Sequence, residues 1–277
     1  MWIFLSLGTA FCAGTSDALS KKALETERVG LVAWVRTAWG SLFLIPLMYF
    51  GTPPHDAALF WRTIACAVPL ELVGAFAFQS ALRSSPISAC IPFMAFTPVF
   101  LLLTGWTFLG ERPTRLGVAG VLLVAAGAFL LYQRRGKSAG SPKGPLLVLL
   151  VSFIYSVTSI FAKKALMASS PMYFCGAYYG AVALGLFPFQ WTSRTWTTDL
   201  IRRPGLFAAI GALEACSFLF QFNAFMVGDV AYVLAIKRLS LLLSVLYGRI
   251  LFGEREMKAR VTGAGIMVAG AILIALA

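Results

Sequence analysis

VAYVLAIKRLSLLLSVLYGRILF, residues 230–252, is the stretch on which the fold turns. It is as long as the roughly 20 residues a helix needs to cross a bilayer. It also carries Lys237 and Arg238 side by side near its middle. One charge at the centre of such a helix costs about 2.5–3.5 kcal/mol even on an insertion scale. Two in succession imply a water-filled or protein-lined site where something negative meets them.

Apolar segments of similar length recur along the whole chain. They lie near 2–20, 29–50, 61–82, 86–108, 114–132, 145–166, 171–190, 205–226, 230–252 and 259–276. With 59% apolar and 12% charged residues, the 277-residue chain has too little polar surface for a soluble globule. The reading is an all-α integral membrane protein of ten transmembrane helices. The loops of any extent, 51–60, 133–144 and 191–204, hold Pro, Gly, Ser and charge, as surface connections do. Cys12, Cys66, Cys90, Cys175 and Cys216 all fall within apolar segments and read as packing residues, not disulfides or metal ligands. The start, MWIFLSLGTA, lacks the positive region of a signal peptide, so a retained first helix is expected.

The net charge of +12 is not a nucleic-acid signature, because most of it lies at segment ends. Lys and Arg concentrate in connections after odd-numbered segments, for example Lys21, Lys22, Arg83, Arg134, Arg135, Arg202 and Arg203. By the positive-inside rule both termini would lie outside. Lys21 and Lys22 have an alternative role, closing a pore-facing stripe.

The chain is written twice. Lys21-Lys22-Ala23-Leu24 recurs at 163–166, Leu70-Glu71 at Leu213-Glu214, and Gln79 at Gln221. Gly110-Glu111-Arg112 recurs at 253–255, and Gly120 and Gly127 recur as Gly263 and Gly270. The offset stays at 142–143, which defines two five-helix units, 1–136 and 144–277, joined by 137–143. Five is odd, so the second unit enters the membrane reversed. Such inverted-topology repeats build many secondary transporters, with the substrate site near the midplane between the halves.

IPFMAFTPVFLLLTGWTFLGERPT (91–114) and YVLAIKRLSLLLSVLYGRILFGER (232–255), each closing on Gly-Glu-Arg, resemble the drug/metabolite transporter superfamily, EamA type. The resemblance covers essentially the whole chain. It implies ten helices in two repeats, a multi-pass protein of the cell inner (cytoplasmic) membrane, and termini inside, the reverse of the charge bias. Plastid phosphate translocators of that superfamily hold anions with a Lys-Arg pair in the ninth helix, which Lys237 and Arg238 match. The match extends to that pair and not to their other phosphate ligands.

The remaining intramembrane polar groups fall into stripes. Glu71 and Glu214 occupy equivalent positions and read as structural counter-ions or proton carriers. Glu214, Ser217 and Gln221 share one helical face, as do Glu71, Gly74, Ala75 and Gln79. Lys237, Ser240, Ser244 and Gly248 form a small polar stripe suited to lining a cavity. Arg238 points away from that stripe and is expected to pair with Glu214 or Glu71. Asp17 and Lys21, spaced i and i+4, are set to neutralise one another. Arg36, with Tyr178 near its repeat-equivalent position, faces either the cavity or a structural partner. Glu111 and Glu254 each precede a helix whose positive end suits a carboxylate. The aromatics Phe76, Phe78, Phe218, Phe220, Phe222 and Tyr232 line a cavity or face lipid. His55, the single histidine, lies in a loop beside Pro53 and Pro54.

These residues favour a secondary transporter of a small anionic or zwitterionic metabolite working by alternating access. Lys237, Arg238, Arg36, Gln79, Gln221, Ser240, Ser244 and Tyr178 are the candidate substrate contacts. Glu71, Glu214 and Asp17 are the candidate coupling groups or counter-ions. A broad exporter of amino acids or toxic compounds is the second reading. A membrane enzyme acting on lipid head groups is a distant third, since no Ser/His, Cys/His or His/Asp arrangement falls in the membrane. Expected partners are a small-molecule substrate, the lipid bilayer and, for coupling, protons. A homodimer is compatible with the sequence; nucleic acid, metal and cofactor are not expected.

Overall fold

A computed structural model describes residues 1–85, 90–133, 143–188, 203–252 and 260–277. All regular structure among them is helical: α1 (Trp2–Ala23), α2 (Val29–Leu47), α3 (Ala57–Ser84), α4 (Phe96–Leu109), α5 (Arg115–Gln133) and α6 (Lys143–Met167). There follow α7 (Pro171–Leu186), α8 (Pro204–Val227), α9 (Val230–Lys237), α10 (Ser240–Phe252) and α11 (Arg260–Ala275). Short 3-10 turns occupy Met48–Phe50 and Ile91–Ala95.

Local chemistry sets the visible ends. The Asp56 carboxylate accepts the Leu59 N–H at 2.9 Å and starts α3. Ser170 and Pro171 start α7 in the same way, with the Ser170 hydroxyl accepting from Tyr173 N–H. Gly110 closes α4 at φ +69°, a left-handed conformation that glycine adopts without steric cost.

Among the described residues, length and apolarity alone let four helices cross a bilayer: Val29–Phe50, Ala57–Ser84, Lys143–Met167 and Pro204–Val227. The distribution of side chains agrees with a lipid solvent. Phe4, Leu103 and Leu184 are 79%, 67% and 76% exposed, whereas Ser6, Asp17, Gln79, Glu214 and Arg238 are buried. Water would favour the opposite arrangement. The protein is a multi-pass membrane protein, with its polar groups gathered along an internal axis.

Four helix pairs hold the bundle together: α1 on α8, α3 on α6, α2 on α7 and α5 on α11. Several contacts recur at the sequence offset. The Lys21 ammonium donates to the carbonyls of Leu82 and Ser85 at the end of α3. The Lys163 ammonium donates to those of Phe225 and Gly228 at the end of α8. Each lysine therefore ties off the unsatisfied carbonyls of a neighbouring helix. Lys21 neither neutralises Asp17 nor lines a pore. The expectation for Glu111 changes too: its carboxylate accepts the Val230 N–H at 3.2 Å, the first residue of α9, so it caps a helix distant in sequence. Burial pushes its carboxyl above the ordinary range, against the pull of that hydrogen bond. Glu254, its repeat counterpart, lies outside the described residues.

The paired glycines lie where α5 and α11 pack closely. A Cβ on Gly120 would stand 2.7 Å from the Gly270 carbonyl oxygen, and one on Gly127 2.7 Å from that of Gly263. Side chains of Ile274 and Met267 also stand in the way, but the backbone oxygens cannot rotate aside. Gly120→Leu or Gly127→Leu should therefore cost about 1–3 kcal/mol by overpacking, read as a lower melting temperature of the detergent-purified protein.

Candidate functional site

The ninth apolar segment is not one helix. α9 ends at Lys237 and α10 begins at Ser240, with Arg238 and Leu239 between them. Through the break the amides bond to carbonyls three residues back: Arg238 to Ala235 at 3.0 Å, Leu239 to Ile236 at 2.9 Å and Leu241 to Arg238 at 3.0 Å. Tightening of this kind inside a helix often marks a functional hinge. The first half departs from α geometry at the same register. Its 3-10 turn Ile91–Ala95 includes Met94 and Ala95, the counterparts of Lys237 and Arg238.

Beside the break lies a central cavity of about 110 Å³, enough for several waters. Three polar clusters line it. In the first, Arg36 of α2 donates to Asp17 of α1 at 2.7 Å and to both oxygens of Glu214 of α8 at 2.8 Å. Ser16 also donates to Glu214, at 2.8 Å, and the guanidinium lies 5.6 Å from the Phe78 ring centroid. In the second, the Tyr178 hydroxyl donates to Glu71 at 3.1 Å, with Thr158 beside the same carboxylate. In the third, Lys237 donates to the Gln221 side-chain carbonyl at 2.6 Å and lies 5.6 Å from the Phe218 centroid.

The first two clusters are one arrangement built twice. Residues 36 and 178, 214 and 71, and 16 and 158 are all related by the offset of 142–143. A guanidinium holds one carboxylate; a neutral phenol holds the other. Glu214 is thus fully ion-paired, while Glu71 has only hydroxyl partners among the described residues.

Arg238 is buried in the cavity wall, and its Nε has no hydrogen-bond partner among the described residues. The same holds for Oε1 of Gln79, which is 1% exposed. The expected pairing of Arg238 with Glu214 or Glu71 is not formed, because Arg36 and Tyr178 occupy those carboxylates. Nor does Asp17 turn to Lys21: Arg36 is closer to its face of α1 and takes it.

The cavity thus collects Lys237, Arg238, Arg36, Gln79, Gln221, Tyr178, Glu71, Glu214 and Asp17. Ser240 is buried but packs on α1, with its Cβ 3.2 Å from where a Cβ on Gly14 would stand. The stripe that would have carried it into the cavity assumed an unbroken helix. The Ser244 side chain lies outside the described residues. Ser217 also leaves the wall, donating to the Thr9 carbonyl at 3.4 Å. Among the aromatics, Phe78, Phe218 and Phe222 line the cavity, Phe76 and Phe220 are exposed on the outer surface, and the Tyr232 hydroxyl accepts the Thr114 N–H. Tyr155, Thr158 and Tyr179 also line the site and were not anticipated. Tyr155, Thr158, Ser159 and Ala162 follow i, i+3, i+4, i+7 spacing, a face that could have been read from α6.

Arg36 has a measurable structural share in this site. Arg36→Leu leaves Asp17 and Glu214 buried together without their cation, which should cost about 3–5 kcal/mol. Adding Glu214→Gln should recover part of the lost melting temperature in detergent, because one uncompensated charge is removed.

Comparison with known proteins agrees with this architecture. A crystal structure at 18% identity superposes with a TM-score of 0.72, covering 99% of this chain and 96% of its own. Pseudopaline exporter CntI of Pseudomonas aeruginosa, in strains UCBPP-PA14 and PAO1, is 23% identical over 276 residues. The match covers 98% of this chain and 95% of the exporter. The model of the EamA-like transporter family matches residues 1–133 and again 142–276, so this chain belongs to the EamA-like transporter family.

Proposed function

We propose that this transporter moves a small zwitterionic or anionic metabolite by secondary active transport across the inner membrane. In this reading, residues 1–136 and 144–277 are inverted five-helix repeats that rock about the central cavity, with 137–143 joining them. The recurrence of Lys21 with α3 as Lys163 with α8, and of Arg36–Glu214 as Tyr178–Glu71, supports the repeat.

One observation carries the substrate assignment. Arg36 is balanced by two carboxylates, yet neither Lys237 nor Arg238 has a carboxylate partner among the described residues. Two buried cations without a counter-ion are costly in a bilayer, and a substrate anion would relieve that cost. The lining groups Arg36, Lys237 and Arg238 are matched in number by Asp17, Glu71 and Glu214. A formally neutral cavity with its free cations at α9 and its unpaired carboxylate on α3 suits a dipolar solute better than a plain anion.

Glu71 is the better candidate proton carrier. Glu214 is locked by Arg36 and Ser16, whereas Glu71 is held only by hydroxyl groups among the described residues. The similarity to an exporter favours outward transport. A broad exporter of amino acids or toxic compounds is the second reading, favoured by the aromatic wall of Phe78, Tyr179, Phe218 and Phe222.

In proteoliposomes, Lys237→Ala and Arg238→Ala should each weaken substrate affinity on the order of thirtyfold or more, the usual consequence of losing one partner of a buried charge pair. Wild-type affinity in both variants would remove the site from α9. Glu71→Gln should abolish transport driven by a pH gradient while leaving substrate exchange across the membrane intact. If both survive, Glu71 does not carry the proton.

A further inference from the structure

α9 is a piece of eight residues with a joint at each end. After it comes the 3-10 turn at Arg238 and Leu239; before it, Gly228 and Asp229 are extended and join it to α8. Leu234 and Lys237 of α9 line the cavity, as do Gln221 and Phe222 of α8. Toward the Asp229 end, Phe225, Val230 and Val233 are each 0% exposed. The path from the cavity to that end is filled by packed side chains, and α9 carries two of them.

The contacts that hold the start of α9 come from the first half of the chain. The Glu111 carboxylate accepts the Val230 N–H at 3.2 Å, and the Thr114 N–H donates to the Tyr232 hydroxyl at 2.9 Å. The Thr114 hydroxyl accepts the Gly117 N–H at 3.0 Å, which places the phenol over the first turn of α5. Gly117 is buried beneath it, and a Cβ at that position would fall on the Tyr232 hydroxyl and ring. The Trp2 ring of α1 stacks on Tyr232 with centroids 6.5 Å apart. The repeat does not demand this contact. At an offset of 143 the counterparts of Thr114, Gly117 and Tyr232 are Met257, Arg260 and Ala89.

We infer that α9 is the gate at this end of the cavity, with the Tyr232 phenol in the Gly117 notch as its latch. The turn at Arg238 and Leu239 is the hinge, since a few residues at an element's end can absorb such a swing. Lys237 stands at the hinge and moves least, so the cation stays in the cavity while the far end of α9 clears the exit. The gate rests on the transport reading above only for what passes through it.

The test follows maleimide labelling of Val233→Cys in the purified full chain, read by mass spectrometry of the labelled peptide. Labelling should be slow when the latch is intact. Tyr232→Phe keeps the ring and drops the hydrogen bond, and should speed labelling roughly two- to tenfold. Gly117→Ala displaces the ring and should speed it about fivefold or more. In a Tyr232→Ala background, Gly117→Ala should add nothing, because the notch is already empty. Native Cys175 of α7, 0% exposed, should stay protected in every variant. Tyr232→Phe decides the matter if Gly117→Ala does not fold. Unchanged labelling in Tyr232→Phe, an effect of Gly117→Ala that persists without the tyrosine, or Cys175 labelling that rises in step would each overturn the latch. The assay contains no substrate, so a failed latch leaves the Lys237 and Arg238 assignment intact, and loss of that assignment leaves the latch.

Discussion

A bilayer solvates neither a charge nor an open peptide group, and that constraint organises the whole molecule. Each intramembrane ion must find its partner inside the protein, and each break in a helix must be closed locally. Arg36 shows the first requirement most fully. It ties α2 to α1 and α8 through three charge-assisted bonds, and it leaves Asp17 and Glu214 satisfied at one stroke. The turn between α9 and α10 shows the second, since the amides of Leu239, Leu241 and Leu242 reach back three residues and that of Arg238 reaches both three and four.

With these demands met, the groups that remain unmet become informative. Lys21 and Lys163 are half-buried cations, and each is spent on the carbonyl end of a neighbouring helix. Lys237 has one neutral acceptor, and Arg238 has a buried nitrogen with none. The same chemical types thus divide into those that build the bundle and those the bundle leaves facing a cavity. The division follows from hydrogen-bond accounting, not from where the residues lie in the chain.

Much of this was legible before any coordinates. Apolar helices and a buried Arg238 beside Lys237 are one-dimensional signals that appear among the described residues. The partners of the charges were not legible, because Asp17 and Arg36, or Arg36 and Glu214, meet only after helices pack. Nearness in sequence suggested Lys21 for Asp17 and the following helix for Glu111, and packing overruled both. The break after Lys237 left no signal because no Gly or Pro marks it, so Ser240 was read onto a cavity face that it does not reach. Tyr155 and Thr158 share with Ser159 and Ala162 a face of α6 that the spacing shows, but only the packing of α6 on α3 and α4 turns that face to the cavity.

Duplication offers a control that a single-copy fold lacks. Where both halves keep the same contact, as Lys21 and Lys163 do, the contact is required by the architecture. Where the halves keep the geometry and change the chemistry, the architecture tolerates either choice and selection has acted on something else. Arg36 became Tyr178, Lys237 stands opposite Met94, and Arg238 stands opposite Ala95. The cations stand on both units, Arg36 in the first and Lys237 and Arg238 in the second, while Glu71 and Gln79 belong to the first. In the proposed transport cycle the repeated scaffold would supply the motion, and the unlike side chains of the two units the charge pattern that the solute must match.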